Sequence, residues 1–339
     1  GLDKTEERLS RARAAMRRAE AIDPDHPDTH FTRGIFQYYG FRDYDQALEE
    51  FLAASRLMPN DVRAKEMVAY IYRRQGKLEE HLDLLNAAFK LDPRSANIDS
   101  NLAESNRALR RVAEAIRLLD RAIELSPDDF NLRMKKAYLM VSWKGDLDTA
   151  RQIMKENPQT DSSWYHLGWI GIHYFSREYD QALEQALLSD DGTPFLHVLS
   201  LHIASSLEAR TGVRLPGTPT LEEAGHAIEA LLEMMPSHVG MRSSLAMHLA
   251  LRGQAAAAVR EGKLGVDLAA KDAFEGPKQL EDLARIYTLL GRSEDAIDLL
   301  ERLLKTVYEG SITPELLKLN PDWDDLRENP RFKALCLSV

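Results

Sequence analysis

An all-α fold of stacked helical hairpins is predicted by three features of this sequence. A proline recurs every 34 or 35 residues, apolar stripes of helical period run between the prolines, and glycine turns divide the intervals in two. Pro24, Pro59, Pro93 and Pro127 mark the period. Each closes a similar phrase, as in Ala88-Phe89-Lys90-Leu91-Asp92-Pro93 and Ala122-Ile123-Glu124-Leu125-Ser126-Pro127. Proline ends a helix because it has no N–H and restricts the residue before it. Five residues before these prolines stand Ala19, Ala54, Ala88 and Ala122; twelve before stand Ala12, Ala47, His81 and Ala115. Alanine there lets two helices approach closely, and His81 is the departure.

Taken in order, residues 2–24 predict one helix, the second of a truncated hairpin. Eight hairpins follow, at 28–60, 61–94, 95–128, 129–158, 161–190, 193–236, 237–270 and 277–308. The second shows the plan. Met67, Val68, Ile71 and Tyr72 form one stripe, Gly76-Lys77 breaks the helix, and Leu78, Leu82, Leu85, Ala88 and Phe89 form the next. The first and fifth units are expected to carry longer turns, Phe41 to Glu49 and Phe175 to Glu184. The fourth is short, with 31 residues from Pro127 to Pro158. In the sixth, Thr211 to Pro219 is rich in turn formers and is expected to protrude as a weak point of the array. Thr220 and Glu223 then make a capping-box signature that restarts a helix. In the seventh, Ala255 to Ala258 with Gly262 and Gly265 predicts close helix packing, and Arg252, Arg260, Glu261 and Lys263 exclude burial in a membrane. The eighth repeats the plan with Leu283, Ala284 and Tyr287, then Gly291, then Ala296, Leu299, Leu300 and Leu303.

With small or apolar residues at fixed places and proline at the thirty-second, this period resembles the tetratricopeptide repeat (TPR). Trp164-Tyr165-His166-Leu167-Gly168 carries that family's Trp-x-x-Leu-Gly opening as it stands. The resemblance implies a right-handed α-solenoid of about eight hairpins plus a C-terminal cap. Its parts are the leading helix and linker at 1–27, the repeat array at 28–310 with the insertion at 211–219, and a capping segment at 311–339. Residues 312–335, through Asn320-Pro321-Asp322-Trp323 and Asn329-Pro330-Arg331-Phe332, resemble the tail of repeat regions in large bacterial signalling proteins. A solenoid must cover its last apolar face, and Leu316, Leu319, Trp323, Leu326 and Phe332 suit that task.

Composition narrows the function. The 339 residues are 44% apolar and 29% charged, with a net charge of −10 and both signs interspersed, which argues against a nucleic-acid surface. No apolar run reaches the length of a transmembrane helix. Gly1-Leu2-Asp3-Lys4 opens no signal peptide, and the missing start methionine suggests a piece of a longer protein. Cys336 is the only cysteine, so a disulfide framework and a cysteine-rich zinc site are excluded.

Catalytic signatures are missing. Neither Gly76-Lys77 nor Gly262-Lys263 is followed by Ser or Thr, so no Walker A loop is present. Glu223-Ala224-Gly225-His226 is a single Glu-x-x-His, where a di-iron site needs two. His166, His173, His197 and His202 cluster in sequence without the further ligands that zinc requires. Arg107, Arg110, Arg111, Arg117 and Arg121 interleave with Glu104, Glu114, Asp120 and Glu124, which predicts a solvated helix surface of paired charges. No enzyme, cofactor or metal site is expected.

The resemblance implies that the first helix of each repeat lines a concave face. Carried over, the inward positions are Phe31, Ile35 and Tyr38; Glu66, Tyr70, Arg73 and Arg74; Glu104 and Arg107; Met134 and Tyr138; Tyr165, Trp169 and His173; then Met247 and Arg285. The partner-binding set among these is Phe31, Tyr38, Tyr70, Arg73, Tyr138, Tyr165, Trp169 and His173. Its centre is expected at repeats four to six, with Trp169 facing the groove and Trp164 facing the neighbouring helix. The Lys and Asn that clamp a chaperone's acidic tail are replaced by Phe31 and Ile35, or Glu66 and Tyr70. The expected function is a non-catalytic scaffold binding a protein or peptide partner, or a second copy of itself as a homo-oligomer. It makes no nucleic-acid contact and no membrane insertion through this segment, and its expected compartment is the cytoplasm. The alternative is the regulatory half of a larger bacterial signalling protein, a cyclase, kinase or transcription regulator.

Overall fold

The structure, a computed structural model, describes residues 6–157, 162–190, 192–308, 310 and 312–337, and no strand occurs among them. Helix α1 (Glu6–Ile22) leads into eight antiparallel hairpins. They pair α2 (Pro27–Ile35) with α3 (Tyr44–Leu57), α4 (Val62–Arg74) with α5 (Leu78–Leu91), α6 (Ala96–Ala108) with α7 (Val112–Leu125), and α8 (Phe130–Lys144) with α9 (Leu147–Lys155). The second half pairs α10 (Ser163–Phe175) with α11 (Tyr179–Leu188), α12 (Pro194–Thr211) with α13 (Leu221–Met234), α14 (Val239–Leu251) with α15 (Ala255–Leu268), and α16 (Gly276–Leu289) with α17 (Ser293–Leu304). The chain ends in α18 (Pro314–Leu319), a 3-10 turn (Pro321–Leu326) and α19 (Pro330–Leu337).

Small residues set the helix spacing. Ala47, Ala88, Ala115 and Ala122 are fully buried where hairpin partners touch. Gly34 lies so close to Phe51 that a Cβ built on it would stand 2.6 Å from the ring. Gly262 and Gly265 play the same part against Leu283 and Gln279. Gly34→Ala should therefore cost roughly 1–3 kcal/mol by overpacking. It would be seen as a lower urea midpoint at unchanged slope, and an unchanged midpoint would contradict this packing. His81, at the place of an expected small residue, is buried and donates from Nδ1 to the Ala69 carbonyl at 2.8 Å. Its Nε2 then accepts the Ser105 hydroxyl at 2.7 Å. Helix starts follow local chemistry: Asp43, Ser95 and Asp146 each accept the N–H of the residue three ahead, and the Thr220–Glu223 capping box is formed.

Three expectations need correction. The extra residues of the first hairpin form a π-helical turn, Phe36–Phe41, so the connection itself is only Arg42 and Asp43, with Arg42 at φ 56°. In the fifth, α10 runs to Phe175 and α11 starts at Tyr179, so that turn is equally tight. The insertion does not stand out. Val213 and Leu215 pack on the cluster of Ile170, Leu183 and Leu207, and the Thr218 hydroxyl accepts the Leu215 N–H. Burying two apolar residues outweighs leaving the loop in water. Arg107, expected on a solvated surface, is buried and paired with Glu104 at 2.6 Å.

The array closes on itself. The connection between α15 and α16 reaches the end of α4, where the Ala273 N–H donates to the Arg74 carbonyl at 2.8 Å. Arg74 pairs with Asp272 at 2.6 Å, and the Tyr44 hydroxyl donates to the same carboxylate at 3.1 Å. Phe274 is covered by Arg73, Arg74 and Lys278. The cap does two things. Trp323, Leu326 and Phe332 are buried against Leu283, Tyr287 and Leu300 of the last hairpin. Meanwhile α18 lies on α8, four repeats away. Leu316 joins the core cluster of Leu139 and Met140, and the Thr313 hydroxyl donates to the Ser142 carbonyl.

Candidate functional site

The eight groove residues expected from the sequence do not form one surface. Phe31 packs on Phe51 at 5.5 Å between ring centres, and the Arg63 guanidinium lies 5.0 Å above it. Tyr38 is buried, its hydroxyl accepting from Arg74 Nε at 2.7 Å. The Tyr70 hydroxyl accepts the Asn101 side-chain N–H at 2.7 Å. Arg73 stacks over Tyr70 and Phe274, so it belongs to the closure. Tyr138 is exposed at its edge, with Arg107 5.4 Å from its ring. Tyr165 meets Phe130 edge-on, and Trp169 stacks on His173 at 5.4 Å. His173 is held by Glu178 at 2.6 Å, and Glu178 also takes Arg151 at 2.9 Å.

The two tryptophans of α10 lie in different surroundings. Trp169 is half-buried against the core of α8 and α9, while Trp164 is 43% exposed. The five-residue offset does separate the two rings around α10. The face toward α8, however, is the one that begins at Trp164 and continues through the small Gly168 and Gly171.

Where α10, α12 and α16 come together, the concave side is occupied by the chain's own tail. Asp322 is the hub. It pairs with Arg210 at 2.5 Å and Arg285 at 2.8 Å, and it accepts the Tyr174 hydroxyl at 2.7 Å. Burial alone would raise its carboxyl, but the two guanidiniums more than offset that and hold it far below the usual carboxylate range. Arg285 also holds Asp282 at 2.8 Å and pairs with Glu281. Arg177 reaches Asp324 at 2.8 Å. Arg285, one of the inward positions carried over from the resemblance, spends its guanidinium on internal carboxylates. The Asn320-Pro321-Asp322-Trp323 phrase was visible in the sequence. No local signal says which distant arginines its aspartate will meet.

Two surfaces remain on the concave side. Along α4 and α6, Asn97 donates to Glu66 at 2.7 Å and Asn101 to Tyr70 at 2.7 Å, one helical turn apart. Between α8 and α10 lies an apolar cleft of about 380 Å³, with Met134, Val141, Leu167 and Phe175 in its walls and Tyr138 and Trp164 at its edge. Among the described residues no group of three or more His, Cys, Asp or Glu is placed to hold a metal ion. His166 and His173 go separately to Gln185 and Glu178.

Hairpins of this geometry, repeated with buried alanine seams and an inward first helix, define a tetratricopeptide repeat protein, and the sequence comparison agrees. The tetratricopeptide repeat profile matches residues 37–96, 82–130 and 279–311. The human mitochondrial import receptor subunit TOM70 is 24% identical over 151 residues, which cover 42% of this chain and 25% of that protein. The rat protein of the same name is 24% identical over the same extent. This chain thus matches about a quarter of the length of these relatives. The crystal structure of yeast Tom70 superposes with a TM-score of 0.58 at 18% identity, covering 88% of this chain and 63% of that one. That likeness concerns the fold. No described helix is long and apolar enough to cross a membrane.

Proposed function

We propose that this chain is a non-catalytic scaffold that recognises an extended segment of a partner protein along α2, α4 and α6. Tetratricopeptide repeats support protein interaction as the general task. The human relative is named an import receptor subunit, and recognition is the part of that description carried over here. The observation that carries the location is the pair of asparagine bridges on the concave side. Asn97 is exposed and Asn101 half-buried, and each spends one amide N–H on its neighbour. A carboxamide has a second N–H and a carbonyl oxygen, the two groups that an extended backbone needs. Phe31 and Tyr70 add apolar area beside them. This end is preferred to repeats five and six because there Asp322 of the tail takes up Tyr174 and Arg210.

A photoreactive benzoyl-phenylalanine placed at Asn97 should yield a discrete cross-linked adduct in producing cells, and the same group at the exposed Glu79 of α5 should not. Asn101→Ala should then weaken the adducted partner by about tenfold, the loss of one or two well-formed hydrogen bonds. Its melting temperature should stay within a few degrees of the original. Equal adducts at both positions, or unchanged affinity, would overturn the assignment. A second copy of the chain in the adduct would make the partner a homo-oligomer on the same face.

A further inference from the structure

The apolar cleft between α8 and α10 lies outside the partner surface just described, and its shape and charge call for a different ligand. It runs from Trp164 to Phe175, twelve residues of α10, or about 16 Å at the helical rise. Two glycines shape it differently. A Cβ at Gly168 would stand 2.8 Å from Met134 Sδ, so the helices touch there. A Cβ at Gly171 would meet nothing within 4 Å, so the cleft is hollow at that point. Both walls are α-helix, whose backbone N–H and C=O groups are consumed within the helix. An extended peptide would lose its backbone hydrogen bonds in such a slot, whereas a hydrocarbon chain loses nothing.

The charge at the rim is uneven. Lys135 is half-buried, its ammonium donates to the neutral Ser100 hydroxyl at 2.7 Å, and no carboxylate pairs with it among the described residues. Glu104, the acidic residue beside the cleft, is in an ion pair with Arg107 at 2.6 Å. The rim therefore carries surplus positive charge above an apolar slot. We propose that this cleft binds a medium-chain aliphatic carboxylate, its chain lying along α10 over Gly171 and its head paired with Lys135. Each buried methylene should tighten binding roughly threefold to fourfold, so affinity should rise with chain length until the slot is full.

Titration with dodecanoate below its micelle concentration, followed by calorimetry, tests this on the whole chain. With ¹³C-methyl methionine labelling, the Met134 and Met154 signals should shift while that of Met67, in the first core cluster, stays still. Gly171→Leu fills the hollow and should weaken dodecanoate at least tenfold, with the helical circular dichroism retained. Lys135→Met should weaken dodecanoate roughly tenfold and leave dodecanol unchanged. The proposal fails if dodecanoate gives no heat and moves neither methionine signal. It fails equally if dodecyltrimethylammonium binds as well as dodecanoate, or if a folded Gly171→Leu chain binds as tightly as the original. Should Gly171→Leu not fold, the methionine shifts in the unaltered chain decide alone.

Discussion

Replacing Asp322 with alanine should cost about 3–5 kcal/mol, because it breaks a buried ion cluster from one side. The loss falls unevenly on its two arginines. Arg285 keeps Glu281 and Asp282, while among the described residues Arg210 is left half-buried with the Tyr174 ring, 5.5 Å away, as its partner. The damage should also be local. Stability in a repeat array is approximately a sum over neighbours, and here the tail adds neighbours that are far apart in sequence. Amide exchange should therefore accelerate in α18, in the last turn of α8 and in α16, while α4 and α6 keep their protection. Adding Arg210→Met should recover part of the loss, since it removes the orphaned charge. If exchange in α18 and at the end of α8 is unchanged in Asp322→Ala, the hub does not hold the tail.

Acidification should destabilise the array mainly through three histidines, above the pH at which Asp322 responds. His81, His202 and His248 are held neutral mainly by burial, which lowers them to about 4, about 3 and about 4. Positive neighbours add to this: Arg73 near His81, Arg210 near His202 and Arg252 near His248. His202 and His248 also face each other, Nδ1 to Nε2 at 3.3 Å, so a charge on either opposes a charge on the other. In the unfolded chain each titrates near pH 6.5. The native state thus binds fewer protons below that value, and stability falls as pH falls from about 6.5 toward 4. By pH 4.5 the cost is about 2–3 kcal/mol for each histidine. Glu281 and Asp282, whose carboxyls burial raises, work in the opposite sense and offset part of it. Asp322 adds its share only below the ordinary carboxylate range, because its native carboxyl is depressed. Urea midpoints at pH 6.5, 5.5 and 4.5 measure the slope, and His202→Gln with His248→Gln should remove about two of its three protons. A slope unchanged in that double variant would show that these imidazoles are not the acid-sensitive groups.

Much of this protein is written locally, and that part was legible. The 34-residue spacing of prolines, the alanines before them and the capping box at Thr220 concern residues within a turn or two of each other. Helix ends and hairpin contacts depend on just such neighbours. The inward positions carried over from the resemblance bring Tyr70 to Asn101, Tyr138 to Arg107 and Arg285 to Asp322. At α10 the five-residue offset of Trp164 and Trp169 was legible, but the cleft beside Trp164 was not, because it depends on Met134 and Val141 facing Gly168 and Gly171 from α8.

What the sequence by itself determined is the repeat: which segments are helices, where they turn, and which alanines and glycines let them stack. Tertiary structure alone decided that the solenoid bends far enough for Asp272 to meet Arg74 and for Asp322 to meet Arg210 and Arg285. The reason is cumulative geometry. Each hairpin adds a small rotation to the one before it, and several such steps bring residues 112 to 198 positions apart into contact. No single repeat encodes that sum. The face expected to lie open for a partner is therefore half filled by the chain's own end.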